Sequence, residues 1–315
     1  MHNLTYILFF VLFYTNTISA QQTEHYTQYQ FNQFNFNPAV AGTKRCVDIR
    51  MGYRLQWVGI DGAPKTGFFN AHGPLYFSKK KKRLFGPKNG IGVLVNKDVF
   101  GPISFLQAQV AYALHLPINK DWTMSFGVSF GFKQTNFSVN NLTTEFNDPA
   151  ITNSSQSFLI FPDARLGFWI ADKKHYFGFS VLNLFGNRLT EIGPESILQR
   201  HLYITGGKQF KLQKKWVFVP SFFVMKTGKT PIDFHLSALF NLDNKFSFGV
   251  GLRRTDAITT QFRIKLFNFL SIGYSFDFVI SKLNNKIWHT HEITGGFNSC
   301  SNYGNSSTTS CATFE

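Results

Sequence analysis

In the stretch "DWTMSFGVSFGF", Trp122, Met124, Phe126, Val128, Phe130 and Phe132 fall on one parity, while Thr123, Ser125, Gly127, Ser129 and Gly131 fall on the other. Period two over this length predicts a strand with one greasy face and one small, polar face. The pattern recurs. Phe246, Phe248, Val250 and Leu252 oppose Ser247, Gly249, Gly251 and Arg253, and Ile258, Thr260, Phe262, Ile264 and Leu266 oppose Thr259, Gln261, Arg263 and Lys265. Leu270, Ile272, Tyr274, Phe276 and Phe278 oppose Ser271, Gly273, Ser275 and Asp277. Alternating or apolar segments of about ten residues lie near 46–57, 66–77, 89–100, 103–116, 121–138, 162–171, 175–184, 199–209, 215–226, 231–241, 245–254, 257–267, 269–280 and 288–298.

That makes fourteen segments, an even number. A soluble β-sandwich also alternates, so the pattern alone leaves two folds open. Composition separates them. Of 315 residues 38 are Phe and only 16% are charged, against about 25% in an ordinary soluble domain, so the outward faces need a large apolar surrounding. Outer-membrane strands run about 9 to 11 residues, alternate apolar outside with polar inside, and close into even-numbered barrels because lipid satisfies no open edge. With both termini on one side, the connections after even-numbered strands are the short ones: "LPINKD", "ADKK", "KLQKK" and "NLDNK" fit, and "KKKKRLFGPKN" is longer than the rule expects. The expected fold is all-β: a transmembrane antiparallel β-barrel of about 14 strands over residues 46–298.

The first twenty residues hold an apolar run, Tyr6 to Tyr14, ending in Ile18-Ser19-Ala20. This reads as a signal peptide, residues 1–20, although the Lys or Arg of a usual n-region is missing. Residues 21–45 are Gln-, Asn- and aromatic-rich, either a flexible lead-in or a segment docked at the periplasmic mouth or in the lumen. Residues 299–315 form a Ser/Asn/Cys-rich tail, expected to be flexible, in which Cys300 and Cys311 are either disulfide-bonded or free thiols; Cys46 is the third cysteine.

The formal net charge of +15 raises nucleic acid as a partner, above all at Lys79–Arg83. No groove-reading motif surrounds that run, so it reads as a solvated turn and no nucleic-acid partner is expected. "GIDGAPKT" fails as a phosphate loop, because Ala63 and Pro64 interrupt it and strand follows where a helix is required. His289 and His291 share a strand face without a third ligand, since Glu292 points to the other face. Asp233, Asp256 and Asp277 are scattered singly, and no nucleophile elbow is spelled out. The expectation is a non-enzyme without cofactor or metal.

"QYQFNQFNFNPAVAGT" followed by "YRLQWVGIDGAPKTGFFNAHGPL" resembles the start of the PorP/SprF family, and "GVGLRRTDAITTQFRIKLFNFLSIGYSFDF" with the "HEI" near 291 is similar to its final strands. The resemblance implies an outer-membrane accessory of the type IX secretion system in Bacteroidetes-type bacteria. It further implies partners: other components of that machinery, and large client proteins with a C-terminal sorting domain, often adhesins, with a link to gliding motility in some members. Outer-membrane lipid surrounds such a barrel. The N-terminal motif maps to Asn37, Pro38 and Gly42, and the loop motif to Arg54, Gln56, Trp57, Gly59, Gly62, Ala63, Pro64 and Thr66.

On the residues alone, Arg54, Gln56 and Trp57 end a strand at the level of an aromatic girdle, and Gly59, Gly62 and Pro64 shape a tight connection. Parity turns this loop to the outside, as a contact for exported substrate or a purely structural turn. A fatty-acid-transporter-like fourteen-stranded pore for small molecules is the alternative function. Inward Ser, Gly, Gln, Arg and Lys argue against it.

Overall fold

A computed structural model of the chain describes residues 25–44, 46–75, 86–137, 157–188, 197–212, 215–228, 230–254, 256–267, 269–280 and 289–299. The signal-like residues 1–20, the Lys79–Arg83 run, Cys300, Cys311 and the tail beyond lie outside the described residues.

The strands are β1 (Asp48–Leu55), β2 (Lys65–Leu75), β3 (Lys88–Phe100), β4 (Ile103–Pro117), β5 (Thr123–Phe137), β6 (Ser157–Ala171), β7 (His175–Leu182) and β8 (His201–Lys208). Then follow β9 (Phe210–Lys211), β10 (Trp216–Thr227), β11 (Asp233–Leu242), β12 (Phe246–Arg253), β13 (Ala257–Leu266), β14 (Leu270–Val279) and β15 (His289–Asn298). Short β9 is β8 resumed after Gln209: Gly207 opposes Ser221 and Phe210 opposes Phe218, the same register against β10. Counted as staves there are fourteen, each antiparallel to both neighbours, and β1 pairs with β15 to close the ring.

Closure removes every sheet edge, which the bilayer requires. The two faces then divide as the alternation dictates. Outward-facing Phe130 is 61% exposed and Phe262 52%, whereas lumen-facing Ser275 and Asn70 are 0% exposed. Greasy neighbours pair across strands, with Phe218 stacked on its register partner Phe240 at 4.8 Å and Phe248 tilted on Phe262 at 5.0 Å. Such cross-strand aromatic pairs each contribute about 0.2–1 kcal/mol to a ladder.

We call the end where the chain enters β1 and leaves β15 the lower rim, and the end carrying the β1–β2 loop the upper rim. The described lower-rim turn between β11 and β12 is short. Asp243 and Asn244 both take positive φ, 53° and 54°, and Lys245 N closes the turn on Leu242 O at 3.0 Å.

Cys46, buried just before β1, is disulfide-bonded. Cys300 and Cys311, the possible pair in the sequence, lie outside the described residues. Barrel closure brings the start of β1 and the end of β15 together. Val47 and Ser299 are joined by Ser299 N donating to Val47 O at 3.0 Å.

Candidate functional site

The lumen is filled by the chain's own N-terminal segment. Tyr26, Tyr29, Phe31, Phe34 and Phe36 are each at most 5% exposed, and so are the interleaved Thr27, Gln28, Gln30, Asn32 and Asn35. The polar residues of that segment meet a polar wall, and its rings cluster. Tyr26, Phe36, Phe68, Tyr203 and Phe223 pack in tilted and edge-on contacts with centroids 4.9–5.6 Å apart. Phe31 lies between two guanidinium groups, Arg50 at 3.9 Å and Arg263 at 4.1 Å from the ring centroid.

The segment threads the barrel from rim to rim. At the upper end Thr27 is the hub. Its hydroxyl donates to Asp277 Oδ1 at 2.6 Å and accepts from Arg54 Nη1 at 2.9 Å and Arg253 Nη2 at 3.1 Å. One donor and two lone pairs are thereby all used. The backbone N–H groups of Thr27 and Gln28 donate to the two oxygens of Glu292 at 2.8 and 3.2 Å. Arg54 spans both carboxylates, 2.7 Å to Asp277 and 3.1 Å to Glu292, and Arg253 reaches Asp277 at 3.1 Å and Asp256 at 3.0 Å. Two buried cations meet two buried anions, with Asp256 on the rim beside them. Removal of one partner from such a set leaves an uncompensated charge, which costs about 3–5 kcal/mol.

Midway, Gln30 Nε2 donates to Ser221 and Ser237, both at 2.8 Å, and Asn70 donates to Asn32 at 2.6 Å. At the lower end the Asn37 side chain does two jobs. Its Oδ1 accepts from Ala39 N at 3.0 Å, capping the 3-10 turn Pro38–Val40, and its Nδ2 donates to Phe168 O on β6 at 2.9 Å. Pro38 at the first position of that turn has the φ it needs and no N–H to leave unpaired. The wall makes room with glycine. A Cβ on Gly127 would stand 2.2 Å from Ala39 N, and one on Gly167 2.1 Å from Asn37 Oδ1. Gly42, at φ 72°, turns the chain toward β1, and His115 Nε2 donates to Ala41 O at 2.8 Å.

The motif residues of the β1–β2 loop divide between lumen and rim. Arg54 is 1% exposed inside the barrel, and Thr66 is buried with its hydroxyl donating to Asp98 Oδ1 at 2.6 Å. Gln56 and Trp57 are half-buried at the upper rim, Pro64 is buried, and Gly59 and Gly62 are exposed. The loop is tied across both neighbours: Val58 N donates to His289 O, Trp57 N to Thr290 Oγ1, and Gly101 N of the β3–β4 turn to Gly62 O at 2.8 Å. Gln56 N closes its base on Pro64 O at 3.0 Å.

Sequence reasoning missed the lumen network. Asp256 and Asp277, scattered in sequence, converge on Arg253, and Glu292 meets Arg54. The signal was present: Arg54, Arg253, Asp277 and Glu292 all occupy the polar parity, near the same end of their strands. His289 and His291 are on the outer face, their rings 4.9 Å apart, with His291 Nδ1 hydrogen-bonded to Tyr274 OH at 2.7 Å. Among the described residues no three His, Cys, Asp or Glu side chains group as a metal site.

These features define a class: an outer-membrane-type β-barrel of fourteen staves whose lumen is closed by its own N-terminal segment. The model of the type IX secretion system membrane protein PorP/SprF matches residues 18–297, and the chain belongs to that family. No curated protein matches the sequence. Similar solved structures include a Pseudomonas aeruginosa FadL homologue, at 10% identity over 86% of this chain and 92% of that one, TM-score 0.45. The P. putida toluene transporter TodX follows at 8% identity over 83% and 91%, TM-score 0.45, and the CymD monoaromatic hydrocarbon channel at 9% over 88% and 92%, TM-score 0.49. These likenesses are too distant to bear on ligand or cargo.

Proposed function

We propose that this protein is a non-enzymatic accessory of the type IX secretion system in the outer membrane, with the lower rim in the periplasm and the β1–β2 loop at the cell surface. It supports export or surface attachment of particular large proteins carrying a C-terminal sorting domain, adhesins and gliding factors among them. Family membership supports the machinery. The observation that carries the mode of action is the filled lumen: the aromatic and polar side chains of residues 26–36 stand across the path, so cargo is served from the rims. On the upper rim the exposed part of the β1–β2 loop, with Val58 and Ile60 each 37% exposed, is the contact offered to a client. Of the motif residues, Gln56, Trp57, Gly59, Gly62 and Ala63 remain candidates for that contact, while Arg54, Pro64 and Thr66 hold the loop. The same plug weighs against a small-molecule pore.

The test compares surface and secreted proteins with and without the gene, alongside detergent fractionation. Loss of one or a few large sorting-domain proteins, with this chain in the outer membrane, supports the reading. An unchanged surface proteome overturns it.

A further inference from the structure

The lower rim carries an arc of lysines that outnumber the described acids beside them. Over the turns from β8 to β13, Lys211, Lys215, Lys245 and Lys265 face a single described acid, Asp243. None of the four makes an ion pair among the described residues. They are neighbours through the backbone: Lys265 N donates to Lys245 O at 2.7 Å, and Asp243 N donates to Lys215 O at 2.8 Å. Lys245 and Lys265 are therefore adjacent across the β12–β13 ladder. Like charges opposite one another destabilise a sheet, so this arrangement works against the barrel's own stability.

Parity shows which way the charge is aimed. Each lysine has a neighbour in sequence that occupies the outward face: Phe210 beside Lys211, Trp216 beside Lys215, Phe246 beside Lys245, Leu266 beside Lys265. Those neighbours are 36–52% exposed and take the bilayer side. The lysines are left to the mouth and the aqueous phase below it. A lipid-headgroup belt would put cations on the outward parity. Here, of the described lysines on these turns, Lys208 alone shares the outward parity, and it lies over the Phe210 ring at 4.9 Å.

We propose that this arc is a docking surface for an acidic segment of a periplasmic protein, which neutralises the four lysines as it seats under the mouth. The proposal rests on the orientation given under Proposed function and adds the chemistry of the partner. Complementary charge of this kind steers association and makes it salt-sensitive, since exposed charges are screened beyond about 8 Å at physiological ionic strength.

The test uses the full chain in nanodiscs of neutral lipid, with a fluorescent poly-glutamate peptide as probe. Three proteins are compared: the parent, a variant with Lys211, Lys215, Lys245 and Lys265 changed to Gln, and an upper-rim control with Lys65, Lys97, Lys226 and Arg254 changed to Gln. The expected result is binding that weakens about ten-fold or more in the lower-arc variant and little in the control, and that fades with salt. Equal losses in both variants mean net charge alone is read, and overturn the proposal. So does retained peptide binding by the lower-arc variant, or a lower-arc loss seen only with vesicles containing phosphatidylglycerol. Surface display in cells separates the two readings: an unchanged surface proteome on gene deletion removes the secretion role while leaving the peptide result to stand or fall alone.

Discussion

Arg54 Nη2 and Asp277 Oδ2 lie 2.7 Å apart inside the barrel, on strands separated by 223 positions in the chain. The pair is the core of the network that fixes Thr27, and both residues are 1% exposed. Arg54→Ala is expected to strand Asp277 and Glu292 and to destabilise the barrel by about 3–5 kcal/mol. Arg54→Lys should recover part of this only, because an ammonium cannot span two carboxylates as the planar fork does. Both are read from the temperature at which the folded band converts to the unfolded one on semi-native electrophoresis. Equal stability of all three proteins would refute the structural role of Arg54.

The filled lumen predicts electrical silence. In planar bilayers the parent chain is expected to conduct little, and deletion of residues 25–43 to open steps of conductance. The Thr27→Val variant, which removes the hub hydroxyl and keeps the plug length, should flicker between the two. Steady open channels in the parent would contradict the closed lumen.

Gly127 and Gly167 predict a steric test. Valine at position 127 drives a side chain into the backbone of Ala39, an overpacking cost of about 1–3 kcal/mol. The expected sign is a plug that leaves the wall, seen as protease cleavage within residues 25–43 while the strands stay protected. The same change at Gly295, whose nearest contact for a Cβ is the Met51 side chain at 3.4 Å, should leave the segment uncut.

Acid should loosen one turn below the barrel. Burial pushes the Asp172 carboxyl up, but hydrogen bonds from the His175 ring and from the N–H groups of Lys174 and His175 outweigh it and hold it below the usual carboxylate range. A depressed carboxyl contributes stability above its unfolded pKa, about 3.9, and loses it as pH falls through the lower folded value. Amide exchange at Lys174 and His175 should be slower in the parent than in Asp172→Ala at neutral pH. That gap should close as the medium is taken below about pH 4, and a gap that persists in strong acid would contradict this account.

The cysteine bond has a mapping test. Asp48 opposes Asn298 in the β1–β15 register, and one step on Ser299 N is bonded to Val47 O. Extrapolated by one step, that register makes Cys300 the expected partner of Cys46. Non-reducing peptide mapping should find Cys46 linked to Cys300, with Cys311 free. A Cys300–Cys311 peptide would overturn the assignment.

Most of the barrel was readable because its signal is local. A residue's parity against its immediate neighbours decides whether Phe262 faces lipid and Gln261 the lumen, and neither needs distant partners. Each of the fourteen predicted segments overlaps one stave, with ends displaced at several of them, β6 most of all, where regular pairing continues past Pro162 to Ser157. Proline there removes one donor without ending the strand. The site was less legible. Thr27, Arg54, Arg253, Asp277 and Glu292 come from five places in the chain, and only ring closure makes them neighbours. Asn37, Pro38 and Gly42 were visible as a motif, while their fit against Gly127 and Gly167 is a matter of inter-strand register.

Thr27 and Glu292 are 265 positions apart and share a hydrogen bond. Arg54 and Arg253 have their full set of anions only when the last strands are in place, and a ring without the N-terminal segment leaves those charges in a water-filled lumen. Seating of the segment and closure of the ring therefore stabilise each other. One set of contacts ties the earliest described residues to the last strand, with the whole barrel lying between them in the chain.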